Sequence, residues 1–279
     1  MPLELMYITN NPTVALIAEK YGVNRIMIDL ETLGKEERQK GMNTVKSRHT
    51  VCDVSAMSKV LTTAELLVRV NPWNDQSVDE VEAVIAAGAE LIMLPMWTSA
   101  GQADAFLKTV DHRARTMLLL ETKEAAACLD EVLENPLVDE IFIGLNDLHL
   151  SYGMTFMFEP LADGTVEMLC QKCKEKGVSY GFGGIARIGE GMLPAERIVM
   201  EHYRLGSSRA ILSRSFCNAE EIEDVVAIES IFRENMARLR AFEESLAVRT
   251  EADYVDNSGV VKCCVKEIVE RIKEKRNCG

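Results

Sequence analysis

The sequence predicts a (β/α)8 TIM barrel, and three observations carry that reading. Eight apolar runs of strand length, each followed by an amphipathic segment of helix length, fill the first 216 residues. The runs are apolar on both faces, as a parallel sheet enclosed between a core and covering helices requires. The turn after the first run, "TNNP", lacks the GxGxxG fingerprint of a doubly wound dinucleotide fold.

In chain order the predicted strands are "LELMYIT" (3–9), "RIMIDLE" (25–31), "ELLVRV" (65–70) and "LIMLPM" (91–96). They continue as "RTMLLLET" (115–122), "EIFIGLND" (140–147), "VSYGFGGI" (178–185) and "RAILSRSF" (209–216). The helical segments between them begin with "PTVALIAEKYG" and a stretch around 50–62. Next come "SVDEVEAVIAAG", "GQADAFLKTV", "KEAAACLDEVLEN", "GTVEMLCQKCKEKG" and "PAERIVMEHYRLG". Ser77 with Glu80 has the spacing of a capping box, and Gly88 stands where that helix should stop. The glycines of "GFGGIARIGEG" fall at the seventh strand and read as a barrel feature.

Beyond Phe216 the pattern changes. Residues 219–247 predict one long helix or two, "TEADYVDNSG" a polar link, and 260–276 a last helix. The expected organisation is a barrel over 1–218 and a helical extension over 219–279, packed on the barrel or on a neighbouring subunit.

Composition narrows the function. A formal charge of -13 argues against nucleic-acid binding, because phosphates repel an acidic surface without a segregated basic patch. The basic C-terminal run "EIVERIKEKRNCG" is interleaved with Glu and reads as a solvated helix face. No apolar run approaches the roughly 18 residues of a membrane span, and the N-terminus shows no basic segment before an apolar core. Eight cysteines spread through helices of a long chain predict free thiols and a cytoplasmic location. Cys170 and Cys173 have metal-knuckle spacing, but no second pair completes a zinc site, so they read as the buried face of a helix.

In a TIM barrel the chemistry sits at the C-terminal strand ends. The polar residues there are Asp29 and Glu31, Arg69 and Asn71, Glu121, Asn146 and Asp147, then Ser213 and Arg214. Glu121 and Asp147, on adjacent strands, would face a common point and suit a hard divalent cation such as Mg2+ or Mn2+; taken singly, Glu121 also reads as the acidic first-turn residue of "ETKEAAACL" and Asp147 as a turn cap. Arg69 is a natural forked partner for a substrate carboxylate, or a structural partner of Glu31.

The ordered set "IMIDLET", "VRVNP", "VIAAGAELIMLPM", "LLLET" and "IFIGLNDLHLSYG" resembles the HpcH/HpaI aldolase and citrate-lyase β-subunit family over about residues 5–216. Asp147 follows Glu121 by 26 residues, the spacing expected there. The resemblance implies Glu121 and Asp147 as ligands of Mg2+ or Mn2+. It implies Arg69 as the group holding the carboxylate or developing enolate oxygen, and Pro95, Met96, Trp97 and Thr98 as the segment lying against the substrate. The aldolases of this family carry a catalytic His after the second strand, where this chain reads "DLETLGKEERQ", closer to the citrate-lyase "DLED". Asp29 and Glu31 therefore become acid/base candidates, with His49 a further one from the following loop. Leu119 stands where the aldolases have Gln. His149, two residues after Asp147, either touches the substrate or decorates the loop, while His112 and His202 read as structural.

The leading expectation is a metal-dependent carbon–carbon lyase acting on a small oxoacid. A citrate-lyase-like or (citra)malyl-CoA-type lyase is the alternative, with Arg187, Arg209 and Arg214 as CoA contacts. A Schiff-base aldolase is disfavoured because none of the eight strands contains Lys. A non-catalytic barrel with a binding role is the reading from another class. The family's habits imply a homo-oligomer, a trimer or hexamer.

Overall fold

A computed structural model of the chain describes residues 1–34 and 49–277. Eight parallel strands pair in chain order and close on themselves: β1 (Glu4–Ile8), β2 (Arg25–Asp29), β3 (Glu65–Arg69), β4 (Leu91–Leu94), β5 (Arg115–Leu120), β6 (Glu140–Ile143), β7 (Ser179–Ile185) and β8 (Arg209–Leu212). The seam pairs Glu4 with Arg209. The sequence located every strand, but five of the eight end two to four residues earlier than expected.

Between them run α1 (Pro12–Lys20), α2 (Val51–Met57), α3 (Ser77–Ala86), α4 (Ala100–Val110), α5 (Lys123–Ala127) and α6 (Leu129–Val132). Then come α7 (Leu145–Ser151), α8 (Glu159–Ala162), α9 (Thr165–Glu175), α10 (Ala195–Leu205), α11 (Val225–Ser245) and α12 (Glu251–Asn277). Asn11 starts α1, its side-chain oxygen accepting from Thr13 N and Val14 N, with Pro12 in the first helical position.

Side chains alternate across a strand, so every second residue points into the barrel and the interior builds in layers. The lowest layer is ionic. Glu4, Arg25, Glu65, Arg115, Glu140 and Arg209 each begin a strand and meet at the N-terminal end of the barrel. Glu140 is completely buried and accepts from Arg25 at 2.7 and 2.8 Å. It also pairs with Arg209 at 2.6 Å and contacts Arg115. Arg25 reaches Glu65 at 2.7 Å and Glu4 at 3.3 Å. Two residues on lies an apolar layer containing Met6, Met27, Leu67, Met93, Met117 and Phe142. Two further on, the inward positions turn polar again at Asp29 and Arg69, and on the β5 side Glu121 follows one step later, beyond Leu119. Arg209 is therefore at the closed base of the barrel, remote from any CoA-binding mouth.

The glycines of β7 fit the barrel tightly. A Cβ on Gly181 would lie 2.4 Å from the carbonyl oxygen of Arg209, and Gly183 takes a positive φ of 54° where the β7–β8 register shifts.

Four local expectations are corrected. The segment 123–135 is not one helix but breaks at Cys128, which ends α5 and begins α6. Ser77 does not cap α3: Gln76 occupies that position, Ser77 Oγ accepts from Asn74 N, and the Glu80 carboxylate accepts from Asn71 instead. The polar link 250–259 is helical, because Thr250 and Asp253 cap each other's main chain and start α12 at Glu251. The strand predicted over 140–147 stops at Ile143, and Asn146 and Asp147 lie in α7.

Helix α11 packs along α1. It is tied to the start of β1 by Glu243, which accepts from Leu3 N at 2.7 Å, and by Arg240, which donates to the Leu3 carbonyl. Helix α12 packs on α10 and α8 through Val261, Val265 and Ile268, with buried Asn257 donating to Arg197 O and Glu201. The described cysteines are free thiols. Cys170 and Cys173 lie buried in α9, and burial pushes the Cys173 thiol up to about 12. Among the described residues no helix is long and apolar enough to cross a membrane.

Candidate active site

The parallel register places Asp29 directly beside Arg69 at the ends of β2 and β3. Arg69 Nε and Nη2 donate to the two oxygens of Asp29 at 2.8 Å each, a forked pair, and Nη1 lies 3.3 Å from Glu31. Burial works against the Arg69 charge, but Asp29, and then Glu31 and Glu121, outweigh it and raise its pKa. Both readings of Arg69 in the sequence thus meet: the side chain is structurally clamped, and it faces the site. Three of its five N–H donors are engaged, which leaves one hydrogen on each Nη.

Asp29 also accepts from Glu31 N at 3.2 Å, which turns the chain past the strand end. His49 is brought to the same place. Its Nδ1 accepts from Asp29 N at 2.9 Å, so a neutral His49 carries its hydrogen on Nε2. The rest of the loop that follows β2, residues 35–48, lies outside the described residues.

Glu121 follows β5 and is almost completely buried. One oxygen accepts from Met96 N at 3.1 Å. Met96 adopts a left-handed φ of 53°, uncommon for a residue with a side chain and a form of strain concentrated at functional sites. The other oxygen lies against Gly144. A Cβ there would sit 3.0 Å from Glu121 Oε2, from Glu121 Cβ and from Leu119 Cδ1. The backbone of Gly144 is ordinary, at φ -83°, so the residue is glycine for space. This explains "GLND": Gly144 clears room for Glu121, and three residues later Asp147 lies in the first turn of α7 beside it.

The segment after β4 divides. The main chain of Met96 is at the site, and Pro95 before it is buried. Trp97 turns its side chain into the core between barrel and helices, and its carbonyl accepts from Thr122. Thr98 is exposed and bonded to Gln102. His149 is buried in α7, its Nδ1 donating to the Leu145 carbonyl at 3.2 Å. His112 lies past α4, and His202 is enclosed between α10 and β7.

Burial raises the Glu121 carboxyl well above the usual range, and the Asp147 charge adds to that. Two carboxylates this close favour a cation between them, and an all-oxygen donor pair suits Mg2+ or Mn2+. Among the described residues no group of three or more His, Cys, Asp or Glu side chains forms a complete metal cage. A cation held by Glu121 and Asp147 would take its other ligands from water and substrate, the usual habit of Mg2+.

Beside this centre a cavity of about 500 Å3 opens over the β1 and β8 ends. Asp29 and Arg69 form the wall it shares with the site. Asn10, Asn146, Asn218, Ser213 and Arg214 line the rest of its polar surface, with Glu220 at one edge. Sequence reasoning gave no weight to Asn10 or Asn218, because loop asparagines are ordinary turn residues.

Comparison with curated protein sequences finds no match. Solved structures do match. An HpcH/HpaI aldolase/citrate lyase family protein from Burkholderia cenocepacia J2315 is 13% identical, with a TM-score of 0.60, covering 78% of this chain and 91% of that one. The HpcH/HpaI aldolase from Desulfitobacterium hafniense DCB-2 is 17% identical, with a TM-score of 0.59 and coverage of 86% and 93%. Citrate synthase SbnG is 13% identical, with a TM-score of 0.58 and coverage of 88% and 94%. At these identities the structures share the fold. The family model for HpcH/HpaI aldolase/citrate lyase matches residues 4–180, more than half of the sequence, and the chain belongs to that family of lyases and aldolases.

Proposed function

We propose that the chain is a divalent-metal-dependent carbon–carbon lyase that forms or cleaves a bond to a pyruvate-like oxoacid. The observation that carries this reading is buried Glu121, with half-buried Asp147 beside it, facing a guanidinium clamped by Asp29. When bound there, Mg2+ or Mn2+ supplies Lewis-acid stabilisation of the negative charge that develops on the oxoacid's carbonyl oxygen.

The residues of the chain do the rest. Asp29 fixes Arg69 through both oxygens, so the two spare Nη hydrogens meet the oxoacid carboxylate in one orientation. Met96, held left-handed by Glu121, fixes the carboxylate direction of Glu121 in return. Glu31 is the carboxylate we assign to move the proton at the carbon next to the carbonyl. His49, with Nδ1 committed to the main chain, acts as an Nε2 hydrogen-bond donor to the reacting oxygens. The acyl-CoA alternative loses support: Arg209 is at the far end of the barrel, and Arg187 is engaged by Phe216 O and Glu190.

The test is calorimetric titration of metal-free protein with Mg2+ and Mn2+, alongside exchange of pyruvate methyl protons into D2O followed by NMR. Binding and exchange are expected in the wild type and lost in Glu121→Ala and Asp147→Ala. Unchanged metal binding in both variants would remove the metal assignment, and absence of exchange in the metal-loaded wild type would remove the lyase reading.

A further inference from the structure

Past the end of β2 four successive main-chain N–H groups are committed, and Glu31 lies among them. Leu30 N donates to the Arg69 carbonyl at 2.9 Å, and Glu31 N to Asp29 Oδ1 at 3.2 Å. The next two, Thr32 N and Leu33 N, donate to one atom, Asn71 Oδ1, at 2.9 and 3.0 Å. Thr32 Oγ1 donates to the same oxygen at 3.3 Å. The chain is thus pinned before Glu31 by Asp29 and after it by a single side-chain oxygen.

That oxygen is itself aimed. Asn71 Nδ2 donates to Glu80 Oε1 at 2.7 Å, and Asn71 N lies 3.3 and 3.2 Å from the two oxygens of the same carboxylate. An ionised carboxylate only accepts, so the amide nitrogen of Asn71 must face Glu80 and its oxygen must face the loop. The turn that carries Asn71 is held as well. Asn74 Nδ2 donates to the Pro72 carbonyl at 2.7 Å, and Asn74 N to Ser77 Oγ at 2.8 Å.

Burial does not account for this arrangement. Thr32 and Leu33 are exposed, so water would satisfy their N–H groups, and exchanging it for Asn71 contributes only about 0.5–1.5 kcal/mol per bond. What the bonds supply is direction. Glu31 is buried, and its carboxylate reaches Arg69 Nη1 at 3.3 Å because the chain on both sides of it keeps this course. Arg69 and Asn71 stand two residues apart where β3 ends. The same stretch therefore holds both the Glu31 carboxylate and the main chain that leaves it.

We propose that Asn71, oriented by Glu80, is a positioning residue that fixes the chain beyond Glu31 and so holds that carboxylate at the reacting centre. Its part in proton transfer rests on the lyase reading; the tether itself does not.

The experiment exchanges the functional groups of the pair. Asn71→Asp keeps an oxygen for Thr32 N and Leu33 N but sets a carboxylate against Glu80, and at about pH 8 the two repel. Adding Glu80→Gln to that variant restores an amide opposite a carboxylate, with the roles reversed. Two readouts are taken on the full chain with Mg2+: exchange of pyruvate methyl protons, as kcat and KM, and main-chain amide exchange at Thr32 and Leu33 by NMR. Asn71→Asp is expected to lower kcat by roughly 10- to 100-fold with little change in KM, because Arg69 keeps its clamp on Asp29. The two amides should exchange at least roughly tenfold faster. The double variant should recover most of both losses, which a second substitution in a merely loosened loop would not do. Thermal melting checks that both variants are folded. A folded double variant that recovers neither quantity, or Asn71→Asp matching the wild type in both, would overturn the positioning role. A wild type that exchanges no pyruvate protons would remove the lyase reading alone, and the amide exchange would still decide the tether.

Discussion

Gly144→Ala separates the demands of space from those of backbone conformation. The φ of -83° and ψ of 88° at Gly144 are open to alanine, so no conformational strain enters. The added methyl, however, meets three atoms at 3.0 Å: Glu121 Cβ, Glu121 Oε2 and Leu119 Cδ1. Contacts that tight force neighbours aside by a few tenths of an ångström. Overpacking of this kind costs about 1–3 kcal/mol, and the reduced freedom of the unfolded chain offsets about 0.4–1 kcal/mol of it. A net loss near 1 kcal/mol should lower Tm by roughly 2–4 °C in a chain of this size. The larger effect falls on the site, because Glu121 moves while Asp147 does not. Changes in the residues that support metal ligands typically cost roughly 10- to 100-fold in affinity, and the same loss of Mg2+ affinity is expected by calorimetry. Gly101→Ala is the control. It lies in α4, where an added methyl would meet Ser99 Oγ alone at 3.9 Å, so it should be neutral or stabilising by up to about 1 kcal/mol. If Gly144→Ala matched Gly101→Ala in both melting and Mg2+ affinity, the packing of Glu121 against Gly144 would not govern the site.

Two further outcomes concern stability. His202 is enclosed, stacked on Phe182 at 3.8 Å with Nδ1 against Ser207 Oγ, and burial pushes its pKa down to about 3. The unfolded chain then binds the extra proton, so this group's contribution is complete above its ordinary value and falls as pH drops. From about pH 7.5 to about pH 5 the loss is about 2 kcal/mol, which urea titrations at the two values should show and His202→Leu should remove. An identical pH dependence in that variant would place the acid sensitivity elsewhere. Glu140→Gln takes the shared carboxylate from Arg25, Arg209 and Arg115 and leaves buried guanidinium charge uncompensated. A loss of about 3 kcal/mol or more is expected from denaturant unfolding, and a change below about 1 kcal/mol would show that the remaining carboxylates suffice.

How much of this was legible in the sequence depended on whether the signal was periodic. Each barrel strand is an apolar run, so all eight could be located from composition alone, and the ends of those runs led to Arg69, Glu121, Asp147 and Asp29. Their ends were harder to place, because a strand and the turn that leaves it can both be apolar: "IFIGL" continues past Ile143 into α7 without a break in hydropathy. The ionic base layer was hidden for a related reason. Glu4, Arg25, Glu65, Arg115, Glu140 and Arg209 each look like the polar boundary of a strand, and only closure of the barrel turns them toward one another. The start of α12 was legible but outweighed. "TEAD" is a capping pattern, yet the polar residues and Gly259 that follow it suggested a link; packing of Val261, Val265 and Ile268 on α10 and α8 holds the helix despite them. Asn10 and Asn218 on the cavity wall had no signal at all, since a loop amide beside a cavity differs from a capping one only in three dimensions.

The two ends of the barrel interior show why the same alternation yields a plug at one end and chemistry at the other. At the base, three arginines face three glutamates, and every charge has partners, so the network is neutral and closed. At the top, among the described residues, Asp29, Glu31, Glu121 and Asp147 gather around the single guanidinium of Arg69. Asp29 takes two of its nitrogens and Glu31 shares the third, so little of that positive charge is left for Glu121 and Asp147. The consequence is visible in Glu121, whose carboxyl is raised by burial and by Asp147 although Arg69 works in the opposite direction. Burying the Glu121 carboxyl beside the Asp147 charge costs folding free energy, which a divalent cation bound by the two would offset. Metal binding should therefore stabilise the chain more than its occupancy of an indifferent surface site would, and Glu121→Gln should stabilise the metal-free protein at neutral pH while abolishing the response to Mg2+.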